Sequence, residues 1–85
     1  MAHKVHLYAL STCGWCRKTK KFFEDRQIDF TCDDVDLLPD LERNAVEEAV
    51  CRLNPWGSYP TVVVDDTEVV LGYDEDRLKA LLEIS

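Results

Sequence analysis

What this sequence lacks narrows its function before any motif does. No stretch approaches the roughly 18 uninterrupted apolar residues of a membrane span. The opening "MAHKVHLY" runs straight into a strand-like pattern, without the apolar core of a signal peptide. A cytoplasmic address is therefore expected, where thiols stay reduced. Basic residues are in deficit: 10 Lys and Arg against 17 Asp and Glu give a net charge of -7. That sign is wrong for nucleic acid, whose phosphates demand a basic surface. There is no internal repeat, linker or low-complexity segment. With 46% hydrophobic and 32% charged residues over 85 positions, a single globular domain spanning 1–85 is expected.

A second close pair of metal ligands is also missing. Structural zinc usually takes two such pairs, whereas Cys32 and Cys51 stand alone and His3 and His6 lie on or before a strand. No metal site is expected. The even number of cysteines does not imply two disulfides, because that inference needs a secretory context. His6 reads as a satisfied polar residue rather than a ligand.

What is present begins with "CGWC", Cys13 to Cys16, followed by Arg17, Lys18, Lys20, Lys21 and Arg26 against only Glu24 and Asp25. The acids gather instead in "DDVD" (33–36), "DDTE" (65–68) and "DED" (74–76). A charge run is usually a solvated helix face, but this one sets positive charge beside two thiols on an acidic chain.

The pattern alternates strands with helices. "KVHLYAL" (4–10) reads as a strand with Val5, Leu7 and Ala9 on one face. A helix follows from about Gly14 to Arg26. "IDFTC" (28–32) alternates, placing Ile28, Phe30 and Cys32 together and making Cys32 a buried core thiol. "PDLERNAVEEAVCRL" reads as a helix with Pro39 near its start and Leu38, Leu41, Ala45, Val46, Ala49, Val50 and Leu53 in one stripe. Cys51 falls opposite that stripe and is expected to be exposed. "NPWG" (54–57) ends the helix, "TVVVDDTEVVLG" (61–72) is a hairpin, and "DEDRLKALLEI" (74–84) is a last helix packing through Leu78, Leu81 and Leu82. The order β-α-β-α-β-β-α predicts an α/β fold: a four-stranded mixed sheet, its first two strands parallel, with helices on both faces.

On that plan Cys13 lies at or just before the start of the first helix. A thiolate there faces unpaired N–H groups and the positive end of the helix dipole. Such settings lower a cysteine's pKa from about 8.5 towards roughly 3.5 to 7.5. Cys16, one turn further in, should be more buried and keep a higher pKa. The asymmetry suits thiol–disulfide exchange, with Cys13 attacking and Cys16 resolving. Gly14 keeps the approach open and Trp15 offers an aromatic surface beside the sulfur.

These residues carry a resemblance. "YALSTCGWCRKTKKFFEDRQIDF", a proline loop, a hairpin and "GYDEDRLKALL" resemble the glutaredoxin family of the thioredoxin-like fold over essentially the whole chain. The resemblance implies a small dithiol oxidoreductase that reduces protein or low-molecular-weight disulfides as a monomer. Cys13 would be its nucleophile and Cys16 its resolving thiol, with no bound cofactor. It implies a cis proline at Pro60, with Tyr59 beside it meeting the substrate backbone. It also implies a substrate groove to which Trp15, Gly72, Tyr73 and Asp74 contribute. Trp56 would either join that groove or plug the base of its loop.

The chain departs from the family's pattern in three segments, which weakens two of its three glutathione contacts and leaves Gly72 and an acid at Asp74 or Asp76 matched in the third segment. The basic residue three positions before the nucleophile is Leu10, Thr-Val-Pro reads Ser58-Tyr59-Pro60, and Gly-Gly-x-Asp-Asp reads "LGYDED". The electron donor implied is therefore either glutathione or, by likeness to glutaredoxin-like proteins that serve ribonucleotide reductase, a thioredoxin reductase. Gly14, in place of a proline between the cysteines, also matches family members that bind an iron–sulfur cluster, which leaves a cluster carrier as a second reading.

Overall fold

A computed structural model describes residues 3–83. Its elements are β1 (Val5–Ala9), α1 (Gly14–Asp25), β2 (Thr31–Asp34), a 3-10 turn (Val35–Leu37), α2 (Asp40–Leu53), β3 (Thr61–Val64), β4 (Glu68–Leu71) and α3 (Glu75–Leu82). The four strands form one mixed sheet in the order β2-β1-β3-β4, with β1 and β2 parallel and the other two pairs antiparallel. The expected element order and α/β class are both observed.

Register decides which residues make the core. Leu7 lies opposite Val62, which lies opposite Val70, and Val5 lies opposite Val64, so their side chains share one face of the sheet. Cys16, Phe22 and Phe23 of α1 and Leu78 and Leu82 of α3 close over that face. On α1 the buried positions are Cys16, Thr19, Phe22 and Phe23, the spacing of one helical stripe. The cysteine pair thus lies at the start of the helix that covers the core.

Two expectations shift. The strand expected at 28–32 begins only at Thr31, because α1 closes by consuming the residues before it. Gln27 takes a left-handed conformation (φ 54°), its N–H donates to Glu24 O at 3.1 Å, and the Ile28 N–H donates to Phe23 O at 2.9 Å. This pair of bonds is a Schellman closure, and it removes Ile28 from the ladder. Ile28, Phe30 and Cys32 still pack together against the core, Cys32 being half-buried.

The second shift is in α2. Of its expected stripe only Val50 is fully buried, while Leu41 is 86% exposed and Ala45 is exposed too. The helix packs chiefly on the Val35–Leu37 turn rather than along the sheet, so its first turns have no apolar surface to cover. Only its end reaches the second sheet face, where Leu53 lines a hollow with His6, Tyr8 and Val63. His6 there is satisfied by Thr31 and by Asp33 at 3.0 Å.

The hairpin turn holds Asp65 and Asp66 at positive φ, and Asp65 accepts the Lys4 N–H at 2.9 Å and pairs with His3 at 2.6 Å. Asp74 caps α3 by accepting the Arg77 N–H at 3.1 Å. The last helix ends at Leu82 with Glu83 in a left-handed conformation; the expected continuation to Ile84 lies outside the described residues, as do Met1 and Ala2 of the opening segment. No helix among the described residues is long and apolar enough to cross a membrane.

Candidate active site

Cys13 is the N-cap of α1, in an extended conformation (φ -85°, ψ 120°). Its own N–H donates to Leu10 O at 3.1 Å, which turns the chain sharply out of β1. The position leaves the sulfur facing the open end of the helix, where it accepts the Cys16 N–H at 3.2 Å. N-cap side chains are usually Ser, Thr, Asp or Asn, whose oxygens satisfy this donor. Here sulfur takes the role.

Cys16 is one turn in and wholly buried, whereas Cys13 is partly exposed. Burial pushes the Cys16 thiol up to about 12; the adjacent Cys13 adds to the rise, while the backbone of Leu10 and the charge of Lys20 pull the other way. Sequence reasoning did not single out Lys20 for this. It lies one turn after Cys16 on the same helix and is held by Asp34 of β2 at 2.9 Å. The signal was the i,i+4 spacing from Cys16 within the basic run. Cys32, also beside Lys20, is pushed up by burial and drawn back by that same charge.

The expected substrate side is built by the first turn of α1 and two loops. A hollow of about 220 Å³ is lined by Trp15, Tyr59, Pro60, Gly72 and Tyr73. Trp15 is 60% exposed and stacks on Tyr73, ring centroids 6.1 Å apart and 23° from parallel. The Lys18 ammonium lies 5.1 Å from the Trp15 ring and 5.4 Å from that of Tyr73, a cation over two aromatic faces. The Tyr59–Pro60 bond is cis, and Pro60 O accepts the Gly72 N–H at 2.8 Å, tying the two loops together. Gly72 has φ +73°, a conformation that side chains disfavour. A Cβ at Gly14 would meet nothing within 4 Å, so the approach over the helix end is open.

Five of the six expected substrate residues therefore meet in one hollow. Asp74 does not line it: its carboxylate is engaged as the cap of α3. Trp56 lines neither this hollow nor the core and is 85% exposed. Cys51 is exposed, as its helical position indicated.

Sequence reasoning treated Asn54 only as turn chemistry, yet it is fully buried and organises the proline loop. Its amide donates to Ser58 O at 3.2 Å, Ser58 Oγ at 3.1 Å and Thr61 Oγ1 at 3.2 Å, and its oxygen accepts the Trp56 N–H at 3.0 Å. The Asn-Pro pair just past a helix end was the available signal.

Comparison with known proteins agrees with this geometry. Methanoredoxin from Methanosarcina acetivorans superposes with a TM-score of 0.89 at 39% identity, covering 93% of this chain and 83% of that one. A glutaredoxin from Archaeoglobus fulgidus gives 0.85 at 41% identity, covering 95% and 86%. An uncharacterized glutaredoxin-like protein of the Clostridium pasteurianum rubredoxin operon is 27% identical over 79 residues, 93% of this chain and 97% of its own. The glutaredoxin family profile matches residues 5–69, which run from β1 through both cysteines and the cis proline to the hairpin, and this chain belongs to the glutaredoxin family.

Proposed function

We propose that the protein is a dithiol oxidoreductase that reduces disulfides in proteins and small molecules through Cys13 and Cys16. The observation that carries this is the asymmetry of the pair: one sulfur partly exposed at a helix N-cap, the other wholly buried behind it. Cys13, as thiolate, attacks one sulfur of a substrate disulfide. A Cys13–substrate disulfide forms, and the other substrate sulfur leaves as a thiolate that takes up a proton. Cys16 then loses its proton to solvent and attacks Cys13. The Cys13–Cys16 bond forms, the second substrate sulfur departs and is protonated, and the two electrons delivered to the substrate have come from the protein.

No bound cofactor is needed, because the two thiols store both electrons. They are restored by glutathione or by a thioredoxin reductase. The Trp15, Tyr59, Pro60, Gly72 and Tyr73 hollow is suited to hold the substrate chain beside Cys13. The iron–sulfur cluster reading rests on Gly14 alone; among the described residues no group of three or more His, Cys, Asp or Glu is placed to hold a metal ion within one chain.

The test is a Cys16→Ser variant given a protein disulfide. A stable mixed disulfide on Cys13 is expected, with turnover collapsing. Continued turnover without Cys16 would sink the dithiol mechanism. Coupled assays with glutathione plus its reductase, and separately with thioredoxin reductase, then identify the donor.

A further inference from the structure

A second hollow shares Tyr59 with the Trp15–Tyr73 groove. Its volume is about 320 Å³, and its walls include Leu10, Asp36, Arg43, Glu47, Cys51 and Tyr59. It adjoins the redox pair: Leu10 is bonded to Cys13 through the turn, and Tyr59 lines both hollows. Arg43 supplies positive charge but is already occupied, by Asp40 at 2.8 Å and Glu47 at 3.6 Å. Asp36 accepts the Ser11 N–H at 2.9 Å and the Ser11 hydroxyl. Those donors hold its carboxyl below the usual range, so it is anionic at neutral pH. Two carboxylates, Asp36 and Glu47, thus line the hollow against one guanidinium, whose charge Glu47 and the neighbouring Asp40 already offset, and the hollow is net negative.

We propose that this hollow selects polypeptide disulfides that carry a Lys or Arg beside the disulfide, and that it disfavours disulfides bearing a carboxylate there. The proposal rests on the reading of Cys13 as nucleophile and adds a substrate class to it. The chemistry matches part by part. Leu10 offers an apolar surface for the aliphatic stem of a long cationic side chain, the Tyr59 ring can face the cation, and Asp36 and Glu47 meet its head. A carboxylate entering the same space would find Arg43 taken and two anions in the wall.

The test is single-turnover reduction by pre-reduced protein, which removes any dependence on an electron donor. The probes are peptides with one disulfide, differing only in the residue on one flank, Lys, Ala or Glu, with each flank varied separately. Exposed charges interact weakly one by one, but Lys against Glu sums an attraction and a repulsion. At one flank Lys should exceed Glu by about tenfold at low salt. The preference should shrink in high salt, diminish in Glu47→Gln and invert in Glu47→Lys. Equal rates for Lys and Glu at both flanks would overturn the proposal, as would a preference that Glu47→Lys leaves unchanged. Failure of the wild-type protein to reduce even the Ala peptide would instead overturn the dithiol reading on which the proposal stands.

Discussion

Replacing Asn54 by alanine tests whether the proline loop is held by this one side chain. The variant keeps the backbone closure of α2, in which the Asn54 N–H donates to Val50 O at 2.7 Å. It loses the amide contacts to Ser58 and Thr61 and the acceptor for the Trp56 N–H. Trp56 and Ser58 are exposed enough to re-bond to water, so each lost contact there costs about 1 kcal/mol. Thr61 is fully buried; its hydroxyl still donates to Ser58 O at 2.9 Å, but it loses its donor from Asn54. That loss adds about 1–2 kcal/mol. Counting one loss at Trp56 and one at Ser58, whose two contacts share a single amide hydrogen, the total is about 3–4 kcal/mol, set against roughly 4–13 kcal/mol for a domain of this size. Urea unfolding under reducing conditions reads this as a lower midpoint at unchanged slope. Asn54→Asp should be no better at neutral pH, since it turns an anion towards the Ser58 carbonyl. It should recover in acid, once the protonated carboxyl can donate again. A loss below about 0.5 kcal/mol for Asn54→Ala would refute the assignment of the loop's order to Asn54.

The Cys16 thiol, pushed up to about 12, keeps its proton in the folded protein over a range where the unfolded chain releases its own. Stability should therefore be full below about pH 8.5 and fall as pH rises towards that raised value; a Cys16→Ser variant should show a shallower alkaline decline in urea titrations, and an identical slope would contradict the burial argument. Gly14→Pro should raise stability by roughly 0.4–1 kcal/mol, because the first helical position suits proline and a Cβ there meets nothing within 4 Å; a lowered melting temperature would count against the openness of that site.

The parts of this fold that were legible in the sequence are those governed by local periodicity. Val5, Leu7 and Ala9 alternate because β1 is buried on one side only, and Cys16, Phe22 and Phe23 recur at helical spacing because α1 lies over that same side. The cysteine pair was legible because its meaning comes from its place between those two elements. Less visible was anything decided by partners distant in sequence. The exposure of Leu41 follows from where α2 docks, and the delayed start of β2 follows from the Gln27 closure, which a glycine would have announced more plainly. The capping role of Asp74 was less visible for a related reason: an acid two residues after a glycine looks the same whether it awaits a ligand or caps a helix. The neutralisation of Arg43 depends on Asp40 and Glu47 being one turn away on either side, which the spacing contains but does not rank.

The interior position of β1 has a consequence for biosynthesis. This strand leaves the ribosome first, yet it sits between β2 and β3, and β3 spans Thr61–Val64. Chains are made at roughly 5–20 residues per second, so for a few seconds the nascent protein carries both thiols without the Tyr59–Pro60 wall. During that interval Cys16 has no sheet to be buried against, and the two sulfurs are chemically alike. The difference in burial between the two thiols is thus acquired late, when the hairpin arrives.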